Sequence, residues 1–446
     1  MVLAQRRSRK TARATSSSGS SGIKIRREYG SIVSWADRIK TDERAAKFFA
    51  KDPRSNQMFR WDELQLARAY YFVCIGAMGM SFPFANLFFR ERGLSGAEIG
   101  LVLTCGAVAG LLAAPLWGRR SDSGASLTRL LQGAFLLTAL GLLAQSQQWF
   151  FVGFALTNAW RGVTGAGIGP LSDTLTLRLT AARRAGYGSV RVWGSAGWAA
   201  SVLFSGWMIE RASLTFGFYA HAVGYVLAAL LLFWMPKALR AGVVTRAETR
   251  GGLRRAVRAI GANRALAGLA LALFVRGILA EGHYQFGNIY LEELGAGTAV
   301  IGAASMMAAA VELPGFFLAD RAVKKIGAAR ALQVSFLISG AKFILVLTFP
   351  AVWSVTATFA IEGIAFSLFL TGLMRYIVEH APASQLATLL ALFTVTWMAL
   401  IQIIGAPIGG IVFDAVGAYW LYALALVGNF LAAAILLLVA RVTQNS

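Results

Sequence analysis

Residues 417–441, GAYWLYALALVGNFLAAAILLLVAR, are one of the apolar runs that decide the fold of this chain. A helix that crosses a bilayer needs about 20 mainly apolar residues, within a range of about 17–25. Runs of this kind cover residues 66–89, 98–117, 127–146, 149–178, 188–209, 214–236, 265–290, 297–318, 328–348, 351–378, 384–411 and 417–441. The sequence therefore predicts an all-α membrane protein with twelve transmembrane helices.

The composition of the chain supports a membrane protein and disfavours a soluble enzyme or a disordered protein. Of the 446 residues, 57% are hydrophobic and 14% are charged, whereas soluble chains carry about 25% charged residues. The formal net charge is +22, but the basic residues are not interleaved with aromatic residues, so we expect no nucleic-acid partner. Cys74 and Cys105 lie inside apolar runs and predict neither a disulfide framework nor a metal site.

Lys and Arg residues are concentrated in alternate loops between the runs. We call the helix ends beside these loops the basic end, and the opposite ends, where acids prevail, the acidic end. Because loops rich in Lys and Arg stay in the cytoplasm, we predict that the basic end and both termini are cytoplasmic. The basic loops hold Arg119, Arg120, Arg129, Arg178, Arg183, Arg184, Arg321, Lys324, Lys325, Arg330 and the stretch 237–264. The acidic end holds Glu91, Glu210, Glu292, Glu293 and Asp414, with Arg90, Arg92 and Arg211.

A basic break at residues 237–264 divides the runs into two groups of six, residues 66–236 and 265–441, followed by a short tail at 442–446. Similar phrases follow the second run of each group, PLWGRRSD at residues 115–122 and PGFFLADR at residues 314–321. Such a repeat is typical of a duplicated transporter. We therefore predict two six-helix bundles joined by a cytoplasmic linker.

Residues 1–65 precede the first run and are basic. We predict a largely disordered cytoplasmic tail, although the Arg, Lys and Ser of residues 1–27 also resemble an organelle transit peptide. Apolar residues at helical spacing indicate an amphipathic helix at 31–50, either on the anionic inner leaflet or on the inner face of the transporter. The cell membrane is the expected location, with an organelle membrane as the alternative.

Ten of the ionisable residues inside the runs are candidate functional residues, because a charge within the bilayer is costly. Asp173 and Arg191 stand at similar depth on either side of loop 179–187, so they can form an ion pair that locks two helices or a pair that recognises a substrate. Trp198 lies seven residues from Arg191 on the same helix face and can stack on a sugar or a base. The other ionisable residues are Arg161, Arg276, Glu281, His283, Glu312, Lys342, Glu362 and Arg375.

Glu312 and Glu362 are the main candidates for proton coupling. Glu312 lies two residues before Pro314, which can leave a backbone carbonyl free, and a carboxyl group kept from water there can carry a proton at physiological pH. Glu362 adjoins Gly363, where another backbone can approach. Each acid can instead be a neutral hydrogen-bonding group. The remaining candidates for proton coupling are Glu281, His283, Arg276 and Lys342, and we expect each of the two cations to pair with one of the acids.

Four stretches of the sequence together resemble the major facilitator superfamily, and the resemblance extends over residues 66–441. Residues 78–84, MGMSFPF, resemble its lactose permease branch. Gly118 and Asp122 match the Gly-x-x-x-Asp loop of the superfamily, although Ser123 replaces the usual basic residue. Residues 170–173, PLSD, and 187–198, YGSVRVWGSAGW, resemble the sugar-binding stretch of the same branch.

The resemblance implies roles for several residues. Substrate binding is implied for Asp173, Arg191 and Trp198, and further candidates are Asn288, in a stretch like the seventh helix of lactose permease, and Arg161, which can supply a positive charge. Conformational gate loops are implied at Gly118, Asp122, Asp320 and Arg321. Lys342 and Glu362 fall near an arginine and the proton-coupling histidine of lactose permease, and Ala365 replaces an acid. Glu312-Leu313-Pro314 resembles the Glu-x-Pro of the phenylpropionate/nucleoside–proton symporter branch, which implies coupling through Glu312 and Glu362.

The predicted function is proton-coupled symport of a small polar solute by alternating access. A sugar or oligosaccharide is the first candidate, a nucleoside the second and an aromatic acid the third. A facilitator without proton coupling, a drug/proton antiporter and a non-transporting membrane receptor are the alternatives. No catalytic constellation and no phosphate-binding Gly-Lys-Ser/Thr loop is present, so we expect no enzyme and no cofactor. The expected partners are the solute, protons and the lipid bilayer, and the expected state is a monomer.

Overall fold

The computed structural model describes residues 62–183, 185–235 and 252–444, and within these ranges the chain is helical and has no strands. The predicted all-α class is therefore confirmed. Residues 1–61, which include the predicted helix at 31–50 and the transit-like segment 1–27, lie outside the described residues. So does most of the predicted linker.

Twelve helical segments follow the order of the predicted runs, and we number them α1 to α12. Three are interrupted: α1 runs over Glu63–Ser81, a 3₁₀ turn at Phe82–Phe84 and Ala85–Glu91; α4 over Phe151–Gly165 and Ile168–Ala182; α11 over Leu386–Ala391, a π-helical turn at Leu392–Thr396 and Trp397–Val416. The others are α2 Gly96–Asp122, α3 Leu127–Ser146, α5 Gly188–Arg211, α6 Thr215–Leu231, α7 Arg264–Glu293, α8 Thr298–Ile326, α9 Ala328–Thr348, α10 Val352–His380 and α12 Ala418–Gln444.

Ten of these segments are long and apolar enough to cross a membrane, judged over the described residues alone. The other two are α4, whose two pieces have 15 residues each, and α5, which is rich in Gly, Ser and Trp. The sequence predicted one unbroken run at 149–178, but the helix ends at Gly165 and restarts at Ile168. Close packing accompanies the break, since a Cβ at Gly167 would lie 2.7 Å from the ring of Trp117 on α2.

The helices pack as two groups with the same internal pattern. In the N group, α1 packs on α5 and α6, α2 on α4, and α3 on α4 and α6. In the C group, α7 packs on α11 and α12, α8 on α10, and α9 on α10 and α12. Each contact of the N group therefore recurs six helices later, as expected for the repeat in the sequence.

Glycine permits the closest approach in each group. A Cβ at Gly197 of α5 would lie 2.2 Å from the carbonyl oxygen of Phe72 on α1. A Cβ at Gly409 of α11 would lie 2.5 Å from Cα of Gly282 on α7. Only a residue without a side chain lets two helix backbones come this close, so these two equivalent crossings depend on glycine.

The two groups meet through α2 with α11 and through α5 with α8. Thr104 Oγ1 donates to the carbonyl of Ile403, and Asn86 Nδ2 donates to Oε1 and the carbonyl of Gln285. These residues lie in the part of each helix nearer the acidic end. The described residues of the two groups are thus joined at the acidic end.

One further helix, Gly252–Ala262, lies within the stretch predicted as a polar linker. Its Ala256 is fully buried in the apolar core of the C group. Asn263 then starts α7, since its side chain accepts hydrogen bonds from the amide groups of Ala265 and Leu266. The last part of the predicted linker therefore packs as a part of the C group.

Candidate functional site

The carboxylate of Asp173, on the second piece of α4, is held by two tyrosines. The hydroxyl of Tyr71 on α1 donates to Oδ1 of Asp173 at 2.6 Å, and the hydroxyl of Tyr187 donates to the same atom at 2.7 Å. In the part of the chain that the structure describes, no donor contacts the other oxygen, Oδ2. Asp173 is therefore fixed by one oxygen and can accept a hydrogen bond with the other.

Tyr187 lies in the loop between α4 and α5, outside the membrane-spanning segments. Burial and the hydrogen bond to Asp173 raise the pKa of its hydroxyl above the ordinary value. The hydroxyl consequently stays protonated at physiological pH and remains a donor to the carboxylate.

Arg191, on the first turn of α5, does not form the direct ion pair with Asp173 that the sequence allowed. Tyr71 lies between the two residues: its hydroxyl contacts Asp173, and the Arg191 guanidinium carbon lies 5.8 Å from the centre of its ring. The Arg191 side chain is exposed. Its charge interacts at long range with Glu312 of α8, which belongs to the opposite group.

Trp198 lies two turns further along α5, beside the interruption of α1. Its ring is edge-on to Phe82, with 6.0 Å between the ring centres. Phe82 is 66% exposed, and Trp198 is half-buried. The pair presents apolar ring surface on the α1 and α5 side of the site, two turns of α5 away from Arg191.

A second charged cluster lies inside the C group, around Glu362 of α10. Lys342 Nζ of α9 donates to its Oε2 at 2.6 Å, and the Tyr284 hydroxyl of α7 donates to its Oε1 at 3.0 Å. Arg276 of α7 approaches Oε1 at 4.0 Å and donates to Tyr284 at 2.8 Å. The side chains of Lys342 and Glu362 are 2% and 20% exposed. Arg276 and Lys342, which the sequence analysis expected to pair with an acid, thus share the carboxylate of Glu362.

Glu281 and His283 of α7 are also buried, but their partners differ from those of Glu362. Gln285 Nε2 donates to Glu281 at 2.7 Å. The His283 ring packs against Phe343 and Tyr422, at 4.6 and 4.5 Å between ring centres. His283 therefore lies in an aromatic setting next to the Glu362 cluster.

Two residues predicted to bind substrate are engaged with the protein itself. Arg161 lies inside the N group, where its guanidinium donates to Oε1 of Gln145 on α3. Asn288 Nδ2 of α7 donates to the carbonyl of Pro83 at 2.8 Å and so joins the two groups. In this conformation Asn288 is part of the closed acidic end.

The predicted gate residues lie at the basic ends of α2 and α8, as their repeat requires. Gly118 is exposed, and Asp122 is the last residue of α2. Asp320 accepts a hydrogen bond from Lys324, one turn later, at 2.5 Å, and Arg321 is exposed. Among the described residues, no group of three or more His, Cys, Asp or Glu side chains is arranged to hold a metal ion.

The sequence did not identify Tyr71 or Tyr284, which complete the two clusters. A tyrosine inside an apolar run carries no charge and gave no reason to select it. The only available signal was the hydroxyl, which requires a partner when the ring is buried. Tyr187 falls within the stretch that resembles lactose permease, but a role for it emerges only from its contact with Asp173.

Comparison with known proteins shows the family and the fold. Residues 64–424 match the model of the MFS_1 like family. The chain is 33% identical to the maltose permease of Geobacillus stearothermophilus over 334 residues, which are 73% of this chain and 81% of the permease. It is 24% identical to the uncharacterized transporter YwbF of Bacillus subtilis (strain 168), over 80% of this chain and 88% of that protein.

Solved structures share the fold at low sequence identity. The nucleoside transporter NupG matches with a TM-score of 0.72 and 14% identity, over 85% of this chain and 99% of NupG. A bacterial homologue of the human lysosomal transporter Spinster, solved inward-facing and unoccupied, matches with a TM-score of 0.64 and 15% identity, over 85% and 96% of the two chains. Together with the family match, these likenesses establish that the chain belongs to the MFS_1 like family and is a membrane transporter of the major facilitator type.

Proposed function

We propose that the protein is a proton-coupled symporter of a small polar solute, with a sugar or oligosaccharide as the first candidate. The observation that carries the proposal is the interaction of Arg191 with acids of both groups. Through Tyr71 it adjoins Asp173 of the N group, and it lies within electrostatic range of Glu312 of the C group. A cation placed in this way can change partners when one of the acids takes up a proton.

The groups around Arg191 suit a solute that carries several hydroxyl groups. Asp173 offers Oδ2 as an acceptor, because both tyrosines donate to Oδ1. Arg191 offers guanidinium donors, and the ring of Trp198 can cover an apolar sugar face. The maltose permease, at 33% identity, supports a sugar as the solute.

An aromatic acid, the third candidate from the sequence, is the alternative solute that the charges of the C group favour. Arg276 and Lys342 share Glu362, so this cluster holds one more cation than acids. A solute carboxylate would balance that charge. Tyr284, whose hydroxyl donates to Glu362, is the most exposed residue of the cluster.

The proposed coupling depends on which acid attracts Arg191. The basic end lies in the cytoplasm in this proposal, so the joined acidic end closes the described conformation toward the outside. An ionised Glu312 attracts Arg191 toward the C group, whereas a protonated Glu312 leaves Arg191 to Asp173 and the solute. Protonation and solute binding then favour each other, as linkage requires.

Uptake by proteoliposomes that contain the purified protein tests the proposal. The panel holds maltose, a monosaccharide, a nucleoside and phenylpropionate, each with and without an inward proton gradient. Gradient-driven accumulation of one class is the expected result, and Asp173→Asn should abolish it. Glu379→Gln is the matched control, since Glu379 pairs with Arg375 on an exposed surface of α10.

Two outcomes would contradict the proposal. Equilibration without accumulation would reduce the function to facilitated diffusion. If the folded protein takes up none of the four classes, symport of these solutes is ruled out, and an exporter or a receptor becomes the better explanation.

A further inference from the structure

The first turn of α2 is capped by an acid from the opposite group. Asp414 lies two residues before the end of α11, and its Oδ1 accepts a hydrogen bond from the amide of Gly96 at 2.7 Å. Its Oδ2 accepts one from the amide of Ala97 at 2.8 Å. The first amide groups of a helix have no partner within the helix and carry a partial positive charge. The carboxylate of Asp414 satisfies two of them at once.

The first turn of α8 is capped in the same way from the other side. Glu210 is the second-last residue of α5, and its Oε2 accepts a hydrogen bond from the amide of Ala299 at 3.1 Å. Thr298 Oγ1 also donates to the carbonyl of Gly206 on α5, at 2.9 Å. The residue that precedes α8 is Gly297, which has no side chain to cap the helix. Glu210 of the N group supplies that cap.

These two contacts are equivalent in the six-helix repeat. Helix α11 is the counterpart of α5, and α8 is the counterpart of α2, so each acid reaches from an equivalent helix to an equivalent helix start. Beneath each acid the backbones touch: a Cβ at Gly410 would lie 2.0 Å from the carbonyl oxygen of Gly96, and one at Gly302 would lie 2.4 Å from that of Val202. Separating the groups at the acidic end therefore breaks both carboxylate contacts.

We propose that Asp414 and Glu210 are paired gate residues that hold the acidic end closed and set how often it opens during transport. This role deepens the proposed function, since it requires alternating access, but it does not depend on which solute or ion is carried. Both acids lie at the helix ends, away from Asp173, Arg191 and Glu312. They position the two groups and do not contact the solute.

The test measures the distance between the groups at the acidic end, without substrate. Cysteines at Ser213 and Pro350, in loops of the N and C group, carry nitroxide labels in a protein whose Cys74 and Cys105 are replaced by alanine. Double electron–electron resonance in lipid nanodiscs then reports the populations of short and long distances. Asp414→Asn and Glu210→Gln are each expected to raise the long-distance population about threefold to tenfold, and the double variant by roughly the product.

Matched variants separate a gate from a merely structural cap. Glu98→Gln removes an acid from the same turn of α2. Glu98 accepts hydrogen bonds from the amide and hydroxyl of Ser95, the residue that caps its own helix, and so does not join the two groups. Glu98→Gln should leave the distances unchanged. Asp414→Glu keeps the carboxylate, so it should show the short distance of the wild type, unlike Asp414→Asn. Unchanged populations in the double variant, or an equal shift in Glu98→Gln, overturn the proposal.

Uptake by the same variants distinguishes this inference from the proposed function. If the distances shift as expected while the wild type accumulates no solute, the gate proposal stands and the symport proposal fails. If a solute is accumulated by the wild type while the distances stay fixed in the double variant, symport stands and the gate proposal fails.

Discussion

The hydroxyl oxygen of Tyr71 lies 2.6 Å from Oδ1 of Asp173, so α1 fixes a carboxylate that α4 carries. The same ring faces the guanidinium of Arg191 on α5. One neutral side chain thus orders an acid and a base on two other helices. This arrangement keeps the acid and the base near each other without neutralising them in a direct ion pair.

Replacing Tyr71 by phenylalanine should weaken solute binding without unfolding the protein. The ring remains beside Arg191, but Asp173 keeps only Tyr187 as a donor. Because a hydrogen bond to a charged group contributes about 1.5–3 kcal/mol, we expect Kd to increase by roughly tenfold to a hundredfold. Calorimetric titration of the solute found in the uptake panel measures it. Tyr376→Phe is the control, since that hydroxyl donates to a backbone carbonyl in the C group; an equal increase there would contradict the role of Tyr71.

Glu312→Gln should separate solute movement from proton movement. The amide cannot take up a proton or attract Arg191 as an ion, so the variant should exchange solute across the membrane but not accumulate it. Counterflow and gradient-driven uptake, measured in the same vesicles, test this. Retained accumulation in Glu312→Gln, at the level of the Glu379→Gln control, would remove Glu312 from the coupling mechanism.

Glu362→Gln should destabilise the protein more than Lys342→Met does. Loss of Glu362 leaves two cations, Lys342 and Arg276, buried without a counter-charge, which costs about 3–5 kcal/mol in comparable pairs. Loss of Lys342 leaves Glu362 with Arg276 and Tyr284, so the cost is smaller. Melting temperatures of the purified variants in detergent give the order. A lower melting temperature for Lys342→Met than for Glu362→Gln would show that Arg276 does not balance the charge of Glu362.

Gly197→Ala should push α1 and α5 apart. The added methyl would stand 2.2 Å from the carbonyl oxygen of Phe72, and overpacking of this kind costs about 1–3 kcal/mol. Gly133→Ala in α3 is the control, because a Cβ there meets no atom within 4 Å. It should be neutral or stabilising by up to about 1 kcal/mol. A melting temperature of Gly197→Ala equal to that of Gly133→Ala would contradict the tight crossing.

The sequence predicted the helices well because the bilayer imposes a simple rule of length and polarity. It could not predict where α4 breaks, since the approach of Trp117 to Gly167 is a contact between distant residues. It named Arg276, Lys342 and Glu362 as charges within the membrane but offered three acids as partners. The structure selects Glu362 because α7, α9 and α10 converge there, whereas Glu312 of α8 interacts only at long range with Arg191 of the N group.

The site around Asp173 was predictable only in part for a related reason. The charges of Asp173 and Arg191 stand out in apolar runs, and their spacing from Trp198 resembles that of lactose permease. Tyr71 is a neutral residue on a helix about one hundred positions earlier in the chain. Its role follows from the contacts of α1 with Asp173 on α4 and with Arg191 on α5, which no local pattern encodes.

The reciprocal caps at the acidic end also bear on how the protein is made. Glu210 is already synthesised when α8 leaves the ribosome, so α8 can be capped as soon as it inserts. Gly96 and Ala97 of α2 must wait for Asp414, which follows Gly96 by 318 residues. Until then α2 has only the cap of its own Ser95. The first half of the nascent chain is therefore inserted while the amide groups of Gly96 and Ala97 lack their carboxylate partner. Synthesis of α11 then supplies Asp414 and joins the two groups at the acidic end.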